Sequence, residues 1–294
     1  MIKTTLTFAA TMLLALTATP AVASPVCGDT ARMAQLQAEL HDPTGPVLIA
    51  SHRGGHLNAP ENSLAAVDEA VANGADVLEI DVRVSRDGVP FIMHDSTVDR
   101  TTDGAGVAED MTYAELRALR LAGGDTPPPS LMEMLRHSCG RILVDLDMKT
   151  DRVAPVMAVV EGLGMVDQVI VFDSDSDTLR RARALLPTIA VMTRLRPGTT
   201  LAEKNMGLLP IAIVHGDTDT LDQDASADIA AMPARIWANA LDDIDRLLPA
   251  VWAACPALDD LAQRGVSVIQ TDFPRLLRAR LAACRAKSGE GEAN

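Results

Sequence analysis

The chain has 294 residues, a formal net charge of −14, and 48% hydrophobic but only 2% aromatic residues. That composition supports one large core filled by Ala, Val, Leu and Met, and its acidic balance excludes broad nucleic-acid binding, which needs a basic footprint. A phosphate ligand stays admissible, because a metal ion and a few local cations can supply the positive field.

Residues 1–23, MIKTTLTFAATMLLALTATPAVA, read as a signal peptide: Lys3, an apolar stretch, then Ala21-Val22-Ala23 as a small-residue cleavage site. An uncleaved anchor is the alternative, but the apolar core is short and rich in Thr. Cys27 lacks a preceding Leu-x-x pattern, so lipidation is not expected, and no later run is long enough to span a bilayer. The expectation is an exported protein, periplasmic or secreted. Its mature length of about 270 residues is ordinary for a (β/α)₈ barrel.

From Ser24 a polar opening carries one helical stretch, ARMAQLQAEL. Strand-like runs then alternate with amphipathic ones. The strand candidates are VLIAS (47–51), VLEIDVRV (77–84), VPFIMH (89–94), RILVDLDM (141–148), QVIVF (168–172), TIAVMTRL (188–195), LPIAIVH (209–215), ARIWANA (234–240) and VSVIQT (266–271). Helix candidates are ENSLAAVDEAVANG, TYAELRALR, SLMEMLRHS, VAPVMAVVEGLG, SDTLRRARALL, LDDIDRLLPAVWAACPALDDLAQRG and PRLLRARLAACRA. Such β/α alternation predicts a parallel sheet and an α/β (β/α)₈ TIM barrel over residues 24–287. Nine runs are one too many for eight strands: either LPIAIVH is accessory or another short run lies outside the barrel. Residues 103–140 form a long connection after the third run, read as an inserted loop; a small separate subdomain is the alternative, short for a core of its own. The polar tail 288–294, SGEGEAN, is expected to be disordered.

Cys27, Cys139, Cys255 and Cys284 are expected to pair after export, in one of three connectivities. Cys27 with Cys284 is the first choice, because the ends of a closed barrel come together. A zinc site is the weaker alternative, since no C-x-x-C spacing occurs.

Functional groups of a parallel barrel sit at the C-terminal ends of its strands. Here those ends carry His52-Arg53, Glu79 and Asp81, His94-Asp95, Asp147 and Lys149, and Asp272 after the last. Glu79 and Asp81 are two apart, so they share a face, where the apolar pattern buries them. Buried carboxylates need a cation or a metal. Ion pairing with Arg53, Arg83 or Lys149 is the bland explanation; hard oxygen ligands for Mg²⁺ or Ca²⁺ is the sharper one, with Asp147 as third ligand and Asp145 as its rival. His52 and His94 are candidate acid–base groups. Arg53 and Lys149 are candidate phosphate contacts. Trp237 is a candidate pocket residue, and Trp252 is read as core. His41, His56, His137 and His215 are assigned structural roles; the GDTD after His215 reads as a solvated turn, with a second cation loop as the alternative. Asp272 in TDFP reads as a cap for the last helix.

These residues resemble the glycerophosphodiester phosphodiesterase family over nearly all the mature chain. HRG with APENS resembles its HRG…PENT opening, with Ser63 for the usual Thr. GADVLEIDVRVSRDGVPFIMHD, RTTDGAG, PPPSLMEML, RIWANA and VIQTDFP resemble its later blocks. The resemblance implies a TIM-barrel phosphodiesterase that releases glycerol 3-phosphate and an alcohol, in lipid and glycerol metabolism, with one divalent cation, Ca²⁺ or Mg²⁺. It implies His52 and His94 as the general acid/base pair and Glu79, Asp81 and Asp147 as metal ligands, with Asp147 where the family usually has Glu. Arg53 and Lys149 match phosphate-contacting positions; Glu61 and Asn62 match the pair that shapes the site, with Glu61 placed near the metal. The match is faint between Ile170 and Asp228, the part that often shapes the leaving-group pocket. Three rivals remain: a phospholipase D-like enzyme on lyso- or sphingolipids, a metal-dependent amidohydrolase, and a non-catalytic phosphate-ligand binding protein. The amidohydrolase expects H-x-H where this chain has His52-Arg53-Gly54. The expected partner is a small phosphodiester; no stable membrane insertion is expected, and no protein partner is legible.

Overall fold

Alternation of side chains along the strand-like runs sorts them onto two faces of one closed sheet. The computed structural model describes residues 30–205 and 207–291. Its strands are β1 (Leu48–Ser51), β2 (Val77–Val84), β3 (Pro90–Ile92), β4 (Leu143–Met148), β5 (Val169–Phe172), β6 (Ala190–Arg194), β7 (Ile213–His215), β8 (Arg235–Asn239) and β9 (Val266–Thr271). All but β3 are parallel and close a barrel in the order β1-β2-β4-β5-β6-β7-β8-β9, with β9 pairing back to β1. The helices are α1 (Thr30–Leu40), α2 (Leu64–Ala72), α3 (Tyr113–Ala118), α4 (Leu131–Ser138), α5 (Val153–Gly162), α6 (Ser176–Leu185), α7 (Leu201–Asn205), α8 (Gln223–Ala230), α9 (Cys255–Gln263) and α10 (Pro274–Gly291).

On β2, Leu78, Ile80 and Val82 face outward into the layer that Val67, Leu135, Val156 and Leu179 complete from the helices. Val77 faces inward and joins Leu48, Ile170, Ile213, Trp237 and Val268 in the lower barrel. Met33, Leu36 and Leu40 of α1 extend that interior cluster, so α1 plugs the floor. Arg235, buried there, donates to the carbonyls of Glu39, Pro46 and Ser267, which ties the end of α1 to the strands above it. The floor is therefore filled by apolar side chains and the tied-down Arg235, and the paired charges of the strand ends gather at the opposite mouth.

The run outside the barrel is VPFIMH, not LPIAIVH. β3 folds back antiparallel on β2, with Ile92 opposite Val82 and Pro90 opposite Val84. Phe91, Met93, Val98, Ala108 and Leu116 give this excursion a small core of its own. The long connection after it ends in α4, which packs between α2 and α5 as a wall helix. LDDIDRLLPAVWAACPALDDLAQRG forms a helix only from Cys255. Asp242 has a left-handed backbone (φ 63), and Pro256 sits in the first turn of α9. Trp252, expected in the core, is 52% exposed as a result. α10 continues past Lys287 to Gly291, into the tail that was expected to be disordered.

Cys284 pairs with Cys255, not Cys27, because α9 and α10 pack side by side and bring the two Cα atoms to 5.5 Å. Cys139 is disulfide-bonded as well. The expected leader at residues 1–23 and Cys27 lie outside the described residues. No helix among the described residues is long and apolar enough to cross a membrane.

Candidate active site

β1 hands over to a tight turn, His52–Gly54, in which Arg53 is left-handed (φ 48). Only glycine fits at Gly54: its φ is +87, and a Cβ there would lie 2.4 Å from the Ala66 Cβ of α2. The turn sends the Arg53 backbone N–H to Glu79 Oε2 at 2.8 Å. Asn62, also left-handed (φ 58), grips Asp81 twice: Nδ2 donates to Oδ2 at 2.7 Å, and Oδ1 accepts the Asp81 N–H at 3.2 Å. Ser63 then caps α2 by accepting from the Ala66 N–H. A hydroxyl is what this position needs, and Ser supplies it as well as Thr.

The β2–β4 register sets Glu79 opposite Asp145 and Asp81 opposite Asp147. Glu79, Asp81 and Asp147 bring one oxygen each within 4.8 Å of one another; Asp145, one step deeper, is outside that trio. Burial first, then the charges of Asp81 and Asp147, push the Glu79 carboxyl well above the usual carboxylate range. Burial also raises Asp147, with Lys149 opposing and Asp81 adding. Lys149 Nζ lies 2.7 Å from Asp147 Oδ2 and 3.3 Å from Asp81 Oδ1, and Arg53 Nε is 3.6 Å from Asp81 Oδ2. Burial would lower the Lys149 ammonium, but Asp147 and Asp81 outweigh it and raise it. Two cations thus face four acids, counting Asp145. The excess negative charge and an all-oxygen donor set suit a hard divalent ion, which would relieve the mutual repulsion.

The histidines stand beside this trio. His52 Nδ1 is 2.8 Å from Asp272 Oδ1, and His94 Nδ1 is 2.7 Å from Asp95 Oδ1. Each tether leaves Nε2 as the nitrogen available to a substrate. His94 arrives from the β3 hairpin rather than from a barrel strand end. The Met93 N–H bonds the Asp81 carbonyl, and Arg83 bonds the His94 carbonyl at 2.8 Å, which returns that hairpin to the mouth. Asp272 is not the helix cap that was expected. Burial alone would raise its carboxyl, but hydrogen bonds from His52 and from His56, 3.3 Å away, hold it below the usual range. Hydrogen bonds from Arg100, against burial, and from His94 hold Asp95 low in the same way. Arg100 also grips Glu61 with both terminal nitrogens, and Arg53 bonds Glu61 at 3.0 Å. Glu61 therefore braces the His94 side and is not one of the carboxylate trio.

A cavity of about 90 Å³ at the barrel mouth is lined by His52, His94, the trio and Lys149 on one side. Phe172, Arg194, His215 and Asn239 line the other. Trp237 does not line it. Fully buried below, its indole N–H bonds Gln270 Oε1 at 3.2 Å, and Gln270 Nε2 donates to Glu79. It therefore touches the site from below, through Gln270 and against the His215 ring. A wider groove of about 750 Å³ lies at the other end, between α8 and α9, with none of these groups. Asp217 of the GDTD segment pairs with Arg194 at 2.6 Å within a turn closed by Thr220.

Sequence reasoning missed Asp272, Arg100, Gln270 and His215 as site components. Asp272 and Gln270 act through partners distant in sequence, and Arg100 joins the nearby Asp95 to the distant Glu61. His215 had a legible signal: it ends a strand run, the position that singled out His52.

A TIM barrel that gathers tethered histidines, crowded carboxylates and two cations at its C-terminal mouth has the groups that chemistry on an anionic substrate needs. More narrowly, the chain belongs to the glycerophosphoryl diester phosphodiesterase family, whose family model matches residues 52–269. It is 40% identical over 116 residues to rat glycerophosphodiester phosphodiesterase 1, covering 36% of this chain and 35% of that one, about a third of the relative's length. It is 32% identical over 168 residues to Bacillus subtilis YhdW, a candidate glycerophosphodiester phosphodiesterase, covering 53% of this chain and 69% of that one. The crystal structure of a glycerophosphodiester phosphodiesterase from Agrobacterium tumefaciens superposes with a TM-score of 0.65 at 29% identity, over 78% of this chain and 98% of that one. An Oleispira antarctica phosphodiesterase, solved with the product sn-glycerol-3-phosphate, superposes with a TM-score of 0.68 at 25% identity, over 80% and 96%.

Proposed function

We propose that this protein is an exported, divalent-metal-dependent phosphodiesterase that hydrolyses glycerophosphodiesters to glycerol 3-phosphate and an alcohol. One observation carries the reading: two histidines, each tethered at Nδ1 by a carboxylate, line the same cavity as the Glu79–Asp81–Asp147 trio. The named activity of the relatives and the glycerol 3-phosphate bound to the Oleispira enzyme support it.

Glu79, Asp81 and Asp147 would hold Ca²⁺ or Mg²⁺, which when bound supplies Lewis-acid polarisation of the phosphoryl group. Arg53 and Lys149 hold its anionic oxygens. His52 takes the proton of the nucleophile at Nε2, and Asp272 stabilises the imidazolium that results. The nucleophile is water, or the glycerol 2-hydroxyl acting through a cyclic phosphate. His94, held by Asp95, donates its Nε2 proton to the leaving alcohol oxygen.

The test is release of glycerol 3-phosphate from a panel of glycerophosphodiesters, with lyso-phospholipid and sphingomyelin as rival substrates. Each is run with chelator and then with Ca²⁺ or Mg²⁺ restored. No release with either ion, or release indifferent to chelation, rejects the proposal. Metal-dependent binding without turnover would favour the binding-protein alternative. Export rests on the leader-like residues 1–23 and on the Cys255–Cys284 bridge, which suits an oxidising compartment. Recovery of the unprocessed chain in the cytoplasm rejects it.

A further inference from the structure

The mouth's second wall holds a histidine that the reaction just described does not use. His215, at the end of β7, is 3% exposed, and neither Nδ1 nor Nε2 has a hydrogen-bond partner. Its ring packs 5.4 Å from Phe172 and 6.2 Å from Trp237, centroid to centroid, so it is held in place without being satisfied. It lines the cavity opposite the carboxylate trio. Its neighbours share the condition: Asn239 Oδ1 and Arg194 Nε are also buried and unpartnered. A buried polar group without a partner is destabilising. Several of them converging on one cavity make a surface that awaits a ligand's hydrogen bonds.

Burial, reinforced by the charges of Arg194 and Arg196, holds the imidazole well below its ordinary range, so the ring is neutral. A neutral imidazole offers one N–H donor and one bare acceptor. An alcohol hydroxyl also donates once and accepts once. An anionic group would leave the acceptor nitrogen unmet, and Asp217 already balances Arg194 at 2.6 Å. The space is small, about 90 Å³. It suits a group the size of a three-carbon polyol.

We infer that His215 is a specificity-determining residue that reads the terminal hydroxyl of the substrate's glycerol arm, assisted by Asn239. This inference rests on the phosphodiesterase reading above. Acylation at that hydroxyl, as in a lysophospholipid, removes the donor and adds bulk.

The experiment compares kcat/KM for glycerophosphocholine and for 2-hydroxypropyl phosphocholine, which keeps the hydroxyl nearest the phosphoester and lacks the terminal one. The wild-type enzyme should favour the first by about 10–100-fold. His215→Phe should collapse that ratio, mainly through KM, while its Tm holds or rises, because two unpaired buried atoms are gone. His215→Gln, which restores a donor and an acceptor, should recover part of the ratio. A wild-type enzyme that does not discriminate overturns the inference without any variant. So does an unchanged ratio in His215→Phe, or an equal loss on both diesters together with a lowered Tm, which would make His215 a packing residue. Wild-type protein that cleaves neither diester with Ca²⁺ or Mg²⁺ refutes the phosphodiesterase reading itself, a result distinct from cleavage of both at equal rates.

Discussion

The two walls of the barrel mouth are built on different terms. On the β1–β4 side the charged groups brace one another: Asp272 holds His52, Asp95 holds His94, Arg100 ties Asp95 to Glu61, and Asn62 clamps Asp81. On the β5–β8 side His215, Asn239 and Arg194 present buried atoms with no partner. The first arrangement is preorganised, as reaction chemistry requires. The second is complete only around a ligand. On the proposed function the contrast would assign turnover to one wall and substrate choice to the other, and it can be broken experimentally.

The largest effect should come from removing the metal. Chelation should lower turnover by about 10³-fold or more, since the ion supplies several kcal/mol of transition-state stabilisation. Restored Ca²⁺ or Mg²⁺ should recover it. Residual activity close to the starting value would break the assignment of Glu79, Asp81 and Asp147. Next, His52→Ala or His94→Ala should each cut kcat by about 10²–10⁴-fold. The double variant should lose far less than the product of the two, because the pair acts as a unit. Near-normal kcat in purified His94→Ala would remove it from the chemistry. Asp272→Asn should be milder, about 10–100-fold in kcat with KM little changed, because it loosens the base's orientation and weakens the support of its imidazolium without touching the substrate. A change confined to KM would move Asp272 to the binding side of the comparison.

The same division explains what the sequence makes legible. The E-x-D and D-x-K pairs sit on inward faces of β2 and β4 because strand alternation is strictly periodic, so the carboxylate trio and Lys149 follow from counting by two. His94 reads in the sequence as the end of a barrel strand; a hairpin brings it to the mouth instead, and an antiparallel return is indistinguishable from a barrel strand by hydropathy alone. Asp272 defeated local reading for a plain reason. An Asp two residues before Pro274 looks like a helix cap, and its real partner, His52, lies at the far end of the chain. Trp237 and Trp252 were misplaced in opposite senses. Strand position could not reveal that Trp237 sits one layer below the cavity. The apolar run around Trp252 could not show that the chain from Leu241 to Ala254 would turn rather than coil.

The smallest predicted effect tests whether the bracing of the first wall extends beneath it. Asp245 is buried under Asp272, accepting its backbone N–H at 2.9 Å and the Thr271 hydroxyl. Burial raises its carboxyl to about 6; the hydrogen bonds oppose that rise and the Asp272 charge adds to it. The unfolded value is about 3.9, so between about pH 4 and 6 the folded chain keeps a proton that the unfolded chain has released. The stability contributed is present at the acid end of that window and is lost as pH rises through about 6. His56 adds in the same direction at higher pH. Its hydrogen bond to Asp272, against burial, raises its imidazole, so its contribution is full below about 6.5 and lost as pH climbs through the raised value. Asp272 shifts downward, so its contribution changes only at more acid pH. Between pH 5 and 7, with a divalent ion held saturating, the wild-type Tm should therefore fall relative to that of Asp245→Asn by roughly 2–4 °C. Parallel Tm profiles would show that Asp245 does not retain its proton in the folded chain, and that the preorganised wall ends at Asp272.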